Sequence, residues 1–266
     1  MQQINHSQMV ISSAEIVARQ AHTLHQVTVF APALCHVRKG SKLVQWGAQA
    51  ASAGQSSLIL FPAGAEVSIA NTPERGHYCS DMVYLPQSLL RRFRHWYGAL
   101  AVTPAPAPSL CVPLDIHTRL AWDSLLLNVK GHAPDALLQH AAMGVLLALY
   151  LAGQAGVLLI DRRDKWAEQV QQVLLLDPAR NWSVSDVARS LHIGDSTLRR
   201  KLMQEDRSFR MILEEVRMGC ALHALQTTSL SIGEIAAQHG YTSPSRFSSL
   251  FQQHFGLTPR RLREAI

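Results

Sequence analysis

Apolar residues change their spacing twice along this 266-residue chain. From about Val10 to Leu85 they come in short runs: Val27-Thr-Val-Phe30, Ala33-Leu-Cys-His-Val37, Lys42-Leu-Val-Gln-Trp46 and Ser57-Leu-Ile-Leu-Phe61. Turn formers follow at Lys39-Gly40, Ala53-Gly54, Pro62-Ala-Gly64 and Asn71-Thr-Pro73. Short runs punctuated by turns about every 8–12 residues predict a small β-barrel or sandwich. From about Pro86 to Ile160 the spacing becomes helical. Leu89, Leu90, Phe93 and Trp96 recur one turn apart, and a proline-rich connector follows at Thr103 to Pro108. Beyond it Leu137, Leu138, Ala141, Val145 and Leu149 form a stripe with enough apolar neighbours to bury most of a helix. Gln139, His140 and Gln154, with breaks at Gly153 and Gly156, argue for a buried or subunit-facing helix over a membrane span. The charged run Asp161-Arg-Arg-Asp-Lys165 marks a domain boundary, and the remainder is helical in pattern almost throughout.

Within that remainder one grammar occurs twice, from Trp182 to Leu202 and from Leu230 to Phe251. Ser183 with Asp186, and Ser231 with Glu234, have the spacing of a helix N-terminal capping box, in which a hydroxyl satisfies backbone donors that the first turn leaves unpaired. Val187 and Leu191, or Ile235, turn inward on the short helix that follows. Ala188 and Ala236 are small where two helices must approach. The turns are His192-Ile-Gly194 and Gly240-Tyr-Thr242, with Ile193 or Tyr241 filling the angle between helices. A second cap, Asp195 or Ser196 in one unit and Ser243 before Pro244 in the other, starts the next helix. Leu198 with Leu202, and Phe247 with Phe251, anchor that helix at i, i+4 and leave its other face free.

This is the pattern of a helix-turn-helix, whose second helix enters the DNA major groove. The free face offers Ser196, Thr197, Arg199, Arg200, Lys201 and Gln204 in the first unit, and Ser245, Arg246, Ser248, Ser249 and Gln252 in the second. Arginine pairs with guanine, glutamine with adenine, and hydroxyls with bases or phosphates. Ser208 to Thr227 joins the units with helical spacing; twenty helical residues span about 30 Å, close to the roughly 34 Å between major-groove faces on one side of a duplex.

Composition narrows the reading without deciding it. The net charge of +6 is shared evenly: 15 Lys and Arg against 12 Asp and Glu in 161–266, and 10 against 7 before that, so each part carries +3. No basic tail exists. The four cysteines have no metal spacing and read as reduced thiols of a cytoplasmic protein. The N-terminus lacks the layout of a signal peptide. His22 and His25 are only a pair and read as surface or structural residues. Acid-base dyads, a nucleophile elbow and a phosphate-cradling glycine loop are missing, so an enzyme, a metal site and a cofactor are not expected.

The C-terminal part resembles the DNA-binding domain of the AraC/XylS family. The matching positions are Trp182-Ser183, Leu198-x-Arg200-x-Leu202, Arg217 with Ala221, Ser231-Ile232, Glu234-Ile-Ala236, Gly240-Tyr241, Ser245-x-Phe247, Phe251, Phe255-Gly256 and Thr258-Pro259. The resemblance implies a bacterial transcription regulator, commonly an activator that recruits RNA polymerase. Asp206 stands where the family often has glycine, implying a tighter or differently angled exit. Ser249, Gln252 and Gln253 stand where members frequently carry Arg or Lys, implying that the first unit dominates affinity. The N-terminal part resembles, more weakly, the cupin-like regulatory domain of such proteins, through Lys39-Gly40 before Leu43-Val44 and Leu58 to Pro62; the clustered histidines of enzymatic cupins are missing.

The expected fold is α+β. A cupin-like β-rich domain spans 1–85, a helical segment that mediates dimerisation spans 86–160, and a DNA-binding domain of two helix-turn-helix units and a linker helix spans 161–266. The expected partners are double-stranded DNA, RNA polymerase, a second copy of the chain and a small effector, hydrophobic as in some relatives; no membrane is involved. Three alternatives stand beside this: a regulator controlled only by oligomerisation or protein partners, a cupin enzyme fused to a DNA-binding domain, and a structural nucleoid protein with little sequence preference.

Overall fold

The computed structural model describes residues 10–100, 109–159 and 165–266. The proline-rich connector at 103–108, and all but Lys165 of the charged boundary at 161–165, lie outside the described residues. Two compact units are present, one built mainly on Val29–Ile160 and the other on Asp161–Glu264.

Eight strands come first among the described residues: β1 (Ser12–Ala18), β2 (His22–Thr28), β3 (Ala33–Lys39), β4 (Ser41–Trp46), β5 (Gln49–Ala53), β6 (Ser57–Phe61), β7 (Glu66–Thr72) and β8 (Tyr78–Tyr84). Helix α1 (Gln87–Tyr97), strand β9 (Cys111–Pro113) and helices α2 (Ile116–Lys130) and α3 (Asp135–Leu151) follow. One sheet runs β1-β8-β3-β6-β9 and the other β2-β7-β4-β5. The fold is α+β and begins with a pair of sheets, in keeping with the β-rich start that the apolar pattern implied.

The sequence explains which strands lie where. On β4 the side chains of Lys42 and Val44 are buried while Leu43 and Gln45 face solvent, the alternation of a strand covered on one side. On β3 and β6 the runs Ala33–Val37 and Leu58–Phe61 are buried without a break, because both of their faces are covered. Leu34, Leu58, Leu60 and Val83 pack on Leu89, Leu90 and Phe93 of α1, Trp122 and Leu125 of α2, and Val145 and Leu149 of α3. The alternate residues, Cys35 and Ile59 among them, face the other way along the same strands. Gly40, at φ +80°, makes the turn from β3 to β4; a Cβ there would meet the Thr72 carbonyl oxygen at 2.5 Å.

One strand falls inside the zone read as helical. β9 pairs with β6 through Leu58↔Val112 and closes the edge of the five-stranded sheet. Three residues are too few to show a period of two.

The second unit is helical: α4 (Trp166–Leu174), α5 (Val184–Ser190), α6 (Asp195–Gln204), α7 (Phe209–Thr227), α8 (Ile232–Gln238), α9 (Pro244–Phe255) and α10 (Pro259–Ala265). Val170, Leu174, Val187, Leu198, Ile212 and Val216 are fully buried around the first helix pair, and Leu225, Ile235, Phe247, Phe251 and Leu262 around the second. Among the described residues no helix is long and apolar enough to cross a membrane.

Candidate nucleic-acid interface

The two helix pairs, α5–α6 and α8–α9, begin alike. The Ser183 hydroxyl accepts from the Asp186 amide at 3.1 Å, and the Asp186 carboxylate accepts from the Ser183 amide at 3.0 Å. In the second pair the Ser231 hydroxyl accepts from the Glu234 amide at 3.2 Å, and the Glu234 carboxylate from the Ser231 amide at 2.8 Å. Both are closed capping boxes. The hydrogen bonds from Ser183 and Ser231 hold the Asp186 and Glu234 carboxyls below their ordinary pKa.

They also turn alike. At the end of α5 the Ile193 amide donates to the Ala188 carbonyl at 3.0 Å and the His192 amide to the Arg189 carbonyl at 3.1 Å. At the end of α8 Tyr241 donates to Ala236 at 2.9 Å and Gly240 to Ala237 at 3.2 Å. Each is a Schellman termination, which requires a left-handed residue just past the helix. That residue is His192 at φ +56° in one unit and Gly240 at φ +80° in the other. The alanines common to both repeats thus supply the carbonyl that anchors the turn, besides permitting close approach.

The second helices start differently. Ser243 caps α9 through the Arg246 amide at 3.3 Å, with Pro244 in the first turn. The cap expected from Asp195 or Ser196 is not formed: Gly194 occupies the N-cap of α6 and provides no side chain. Asp195 lies inside the first turn, where an anion suits the positive end of the helix, and its carboxylate accepts from the Ser185 hydroxyl of α5. The exit of α6 is also ordinary. Asp206 takes φ +55°, as glycine would, and Arg207 donates back to the Leu202 carbonyl at 2.9 Å.

Leu198 and Leu202 fix the inner side of α6. At about 100° per residue, Arg200 lies directly opposite them, Ser196 and Gln204 about 40° to either side, and Thr197 and Met203 about 60° away. Arg199 and Lys201 sit on the flanks, about 100° away. Ser196, Arg199, Arg200 and Gln204 are exposed, and Thr197 is half-buried. Lys201 is half-buried, its ammonium 4.5 Å from the centre of the Trp166 ring. Met203, at 70% exposure, joins the outer face and was missed, since apolar patterning assigns methionine to cores.

On α9 the inner side is Phe247, Phe251 and Phe255. Ser249 and Gln253 lie about 20° from the outermost direction, Arg246 about 40°, Ser245 about 60° and Gln252 about 80°. Gln253, exposed, belongs to this face although it was not among the expected site residues. Ser248 lies towards the inner side, and its hydroxyl donates to the Pro244 carbonyl at 2.9 Å; the Ser249 hydroxyl donates to Ser245 at 3.2 Å.

Residues behind these faces hold them in place. Both oxygens of Glu205 accept from the first amides of α4, Trp166 at 2.7 Å and Ala167 at 2.9 Å. This carboxylate at a helix N-terminus ties α4 to the end of α6. Arg217 of α7 donates to the Pro178 and Arg180 carbonyls, each at 3.0 Å. Periodicity offers no signal for such side chain to backbone contacts. Among the described residues no group of histidine, cysteine and acidic side chains is arranged to hold a metal.

Residues 187–265 match the family model described as a helix-turn-helix domain. A transcriptional activator of Escherichia coli named FapR is 34% identical over 101 residues, 38% of this chain and 39% of that protein. The urease operon transcriptional activator of Escherichia coli is 30% identical over 142 residues, 52% of this chain and 48% of its own length. The match thus spans about half or less of each of these relatives. Among solved structures, unsaturated fatty acid-bound ToxT from Vibrio cholerae superimposes with a TM-score of 0.67 at 16% identity, covering 100% of this chain and 98% of that one. That likeness concerns the fold of both parts. Residues 187–265 are therefore a helix-turn-helix domain, and the chain is similar over part of its length to these transcriptional activators.

Proposed function

We propose that this chain is a sequence-specific DNA-binding transcription regulator, an activator acting in the bacterial cytoplasm, which sets α6 and α9 into successive major grooves. One observation carries this reading: two helix pairs with the same capping boxes and the same Schellman turns, each presenting a polar outer helix face. Nineteen residues of α7 give a spacer of about 29 Å. Arg200, opposite the buried leucines, is placed to read a base, with Ser196 and Gln204 beside it. Arg199 and Lys201, on the flanks, meet phosphates. On α9 the readers are Arg246, Ser249 and Gln253, with Ser245 and Gln252 at the edge. Selection of the full chain's preferred sites from a random DNA library tests this. Enrichment of two half-sites about one helical turn apart is expected, and recovery of no preferred sequence rejects it.

The first unit supports a regulatory role of the kind its structural neighbour suggests, with a small apolar effector bound between the sheets and no chemistry performed on it. The second partner is another copy of the chain. On α2 the apolar residues Ile116, Leu120 and Leu127 are 66%, 62% and 75% exposed and fall within about 40° of one another around the helix, with Asp123 between them. Such a stripe on an otherwise polar helix face is self-complementary across a two-fold axis. Sedimentation of the full chain as a dimer, converted to monomer by Leu120→Glu with Leu127→Glu, is the expected result; unchanged sedimentation rejects this interface. RNA polymerase is the downstream partner, read out by transcription in vitro from a selected site.

A further inference from the structure

The outer face of α6 carries one apolar side chain among polar ones. Met203 is 70% exposed, more than any other large apolar residue among the described residues of the second unit. The core does not call on it, because Leu198 and Leu202 already fill the inner side of the helix. The scaffold does not require it either. In the second unit Phe251 takes the place of Leu202, and the residue after it is Gln252, polar and exposed. A lone exposed apolar residue is ordinary on a protein surface. This one stands on a face otherwise built of serine, threonine, arginine, lysine and glutamine, one turn beyond Arg199 and Arg200. At about 100° per residue, Met203 and Ser196 lie on one side of Arg200, and Thr197 and Gln204 on the other.

The edges of the bases in the major groove offer hydrogen-bond donors and acceptors, with one apolar exception, the 5-methyl group of thymine. An unbranched, polarizable thioether adapts readily to such a surface. Residues three apart on a helix have Cβ atoms about 5–6 Å from one another, against about 3.4 Å between stacked base pairs. Met203 therefore falls one or two base pairs from the base that Arg200 reads. From Ser196 to Met203 the helix advances about 10.5 Å, so the last turn of α6 stays within about three base-pair steps of its first. We propose that Met203 is a specificity-determining residue, whose thioether packs on the methyl group of a thymine one or two base pairs from the base contacted by Arg200. Binding takes both apolar groups out of water, and cytosine, which lacks the methyl, is disfavoured there. This rests on the reading of α6 as a recognition helix and adds a base that its polar side chains do not select.

The test uses the full chain and its site selected from a random DNA library, with each thymine replaced in turn by deoxyuridine, which lacks the methyl group and keeps every hydrogen-bonding group. Wild-type protein is expected to lose about fourfold in affinity, the worth of one buried methylene-sized group, at one thymine within two base pairs of the position that Arg200→Ala relaxes. Met203→Ala is expected to bind the unmodified site about fourfold more weakly and to be indifferent to the replacement. Met203→Leu, which keeps an apolar end, is expected to retain the loss. The proposal is overturned if no thymine in that range costs more than about twofold on replacement, or if the loss survives Met203→Ala and so belongs to another side chain. It is equally overturned if Met203→Ala lowers transcription from the selected site with DNA affinity unchanged, which assigns the side chain to a protein partner. A preferred sequence without methyl dependence removes the Met203 contact alone, whereas recovery of no preferred sequence rejects the regulator and this contact with it.

Discussion

The two helix-turn-helix units share a scaffold and differ in what they put on it. Their first helices are capped by the same box and closed by the same turn, hydrogen bond for hydrogen bond. Their second helices differ in the start, the core and the outer face. α6 has ten residues, begins without a side-chain cap, rests on two leucines and carries Arg199, Arg200 and Lys201. α9 has twelve, begins with Ser243 and Pro244, rests on a ladder of three phenylalanines and carries Arg246 with serines and glutamines. Backbone satisfaction at helix ends is required whatever the helix reads, so it is retained; the outer face answers to its ligand and diverges.

The largest contrast lies in the cores. Phe247 and Phe251 lie 5.7 Å apart between ring centres, and Phe251 and Phe255 4.6 Å, so the middle ring touches both neighbours. Phe251→Ala should lower the stability of the second unit by about 3–5 kcal/mol, towards the upper end because two aromatic contacts go with the ring. Leu202→Ala, which removes fewer atoms, should lie lower in a range of about 2–5 kcal/mol. Chemical denaturation of the three proteins side by side measures this, and an equal loss would show the ladder to be no better packed than the leucine pair.

The outer faces come next. Arg200→Ala should weaken binding to a selected site by about 1–3 kcal/mol and relax one base position, whereas Arg199→Ala and Lys201→Ala should weaken all sequences alike and flatten the salt dependence by about one ion each. Arg246→Ala should weaken binding less than Arg199→Ala, because the second unit has fewer cations to hold the backbone. Quantitative gel shifts on specific and scrambled duplexes at several salt concentrations discriminate these outcomes; a larger loss from Arg246→Ala would reverse the order of the units.

The capping boxes set a smaller and symmetrical effect. Ser183→Ala and Ser231→Ala should each lower stability by about 1 kcal/mol. Asp186 and Glu234 add a pH dependence of defined sign. Hydrogen bonding lowers both carboxyl pKa values in the folded chain. Their contribution is therefore present above the unfolded pKa, about 3.9 for Asp and 4.3 for Glu, and is lost as pH falls through the lower folded values. Thermal unfolding between pH 3 and 7 should show the acid loss reduced by Asp186→Asn and by Glu234→Gln; curves parallel to wild type in both variants would remove the boxes from the folded state.

These boxes were legible in the sequence because a cap is a local device, a hydroxyl and an acid three residues apart. The repeat, the linker helix and the β-rich start were legible for the same reason, each being a short period or a fixed offset. What escaped depends on contacts between segments distant along the chain. β9 shows no period of its own and exists because β6 has an open edge. Glu205 reads as a polar residue ending a helix, yet it caps α4, 38 residues away. Lys42 reads as an ordinary strand lysine, and its burial follows from register, which places it opposite Asn71 on β7 and Ala53 on β5. Met203 was missed because patterning equates apolar with buried, and a reading surface is where that equation fails.

The smallest effect is the most direct probe of the shared scaffold. His192 and Gly240 occupy the same place in their turns, both with positive φ. Glycine adopts that conformation freely, while an L side chain strains against its own backbone there. In the second unit a side chain would also have to displace the Arg217 guanidinium: a Cβ on Gly240 would lie 2.8 Å from it. His192 is exposed, so replacing it removes strain and little packing. Glycine also loses more freedom on folding, which offsets part of the gain. His192→Gly should therefore stabilise the first unit by about 0.5–1 kcal/mol and leave the DNA affinity unchanged. Hydrogen exchange at the Ile193 amide, which closes the turn onto Ala188, should slow in step. Faster exchange there, or lower stability, would mean that the imidazole makes a contact worth more than the strain, and that the two turns are alike in shape but not in what holds them.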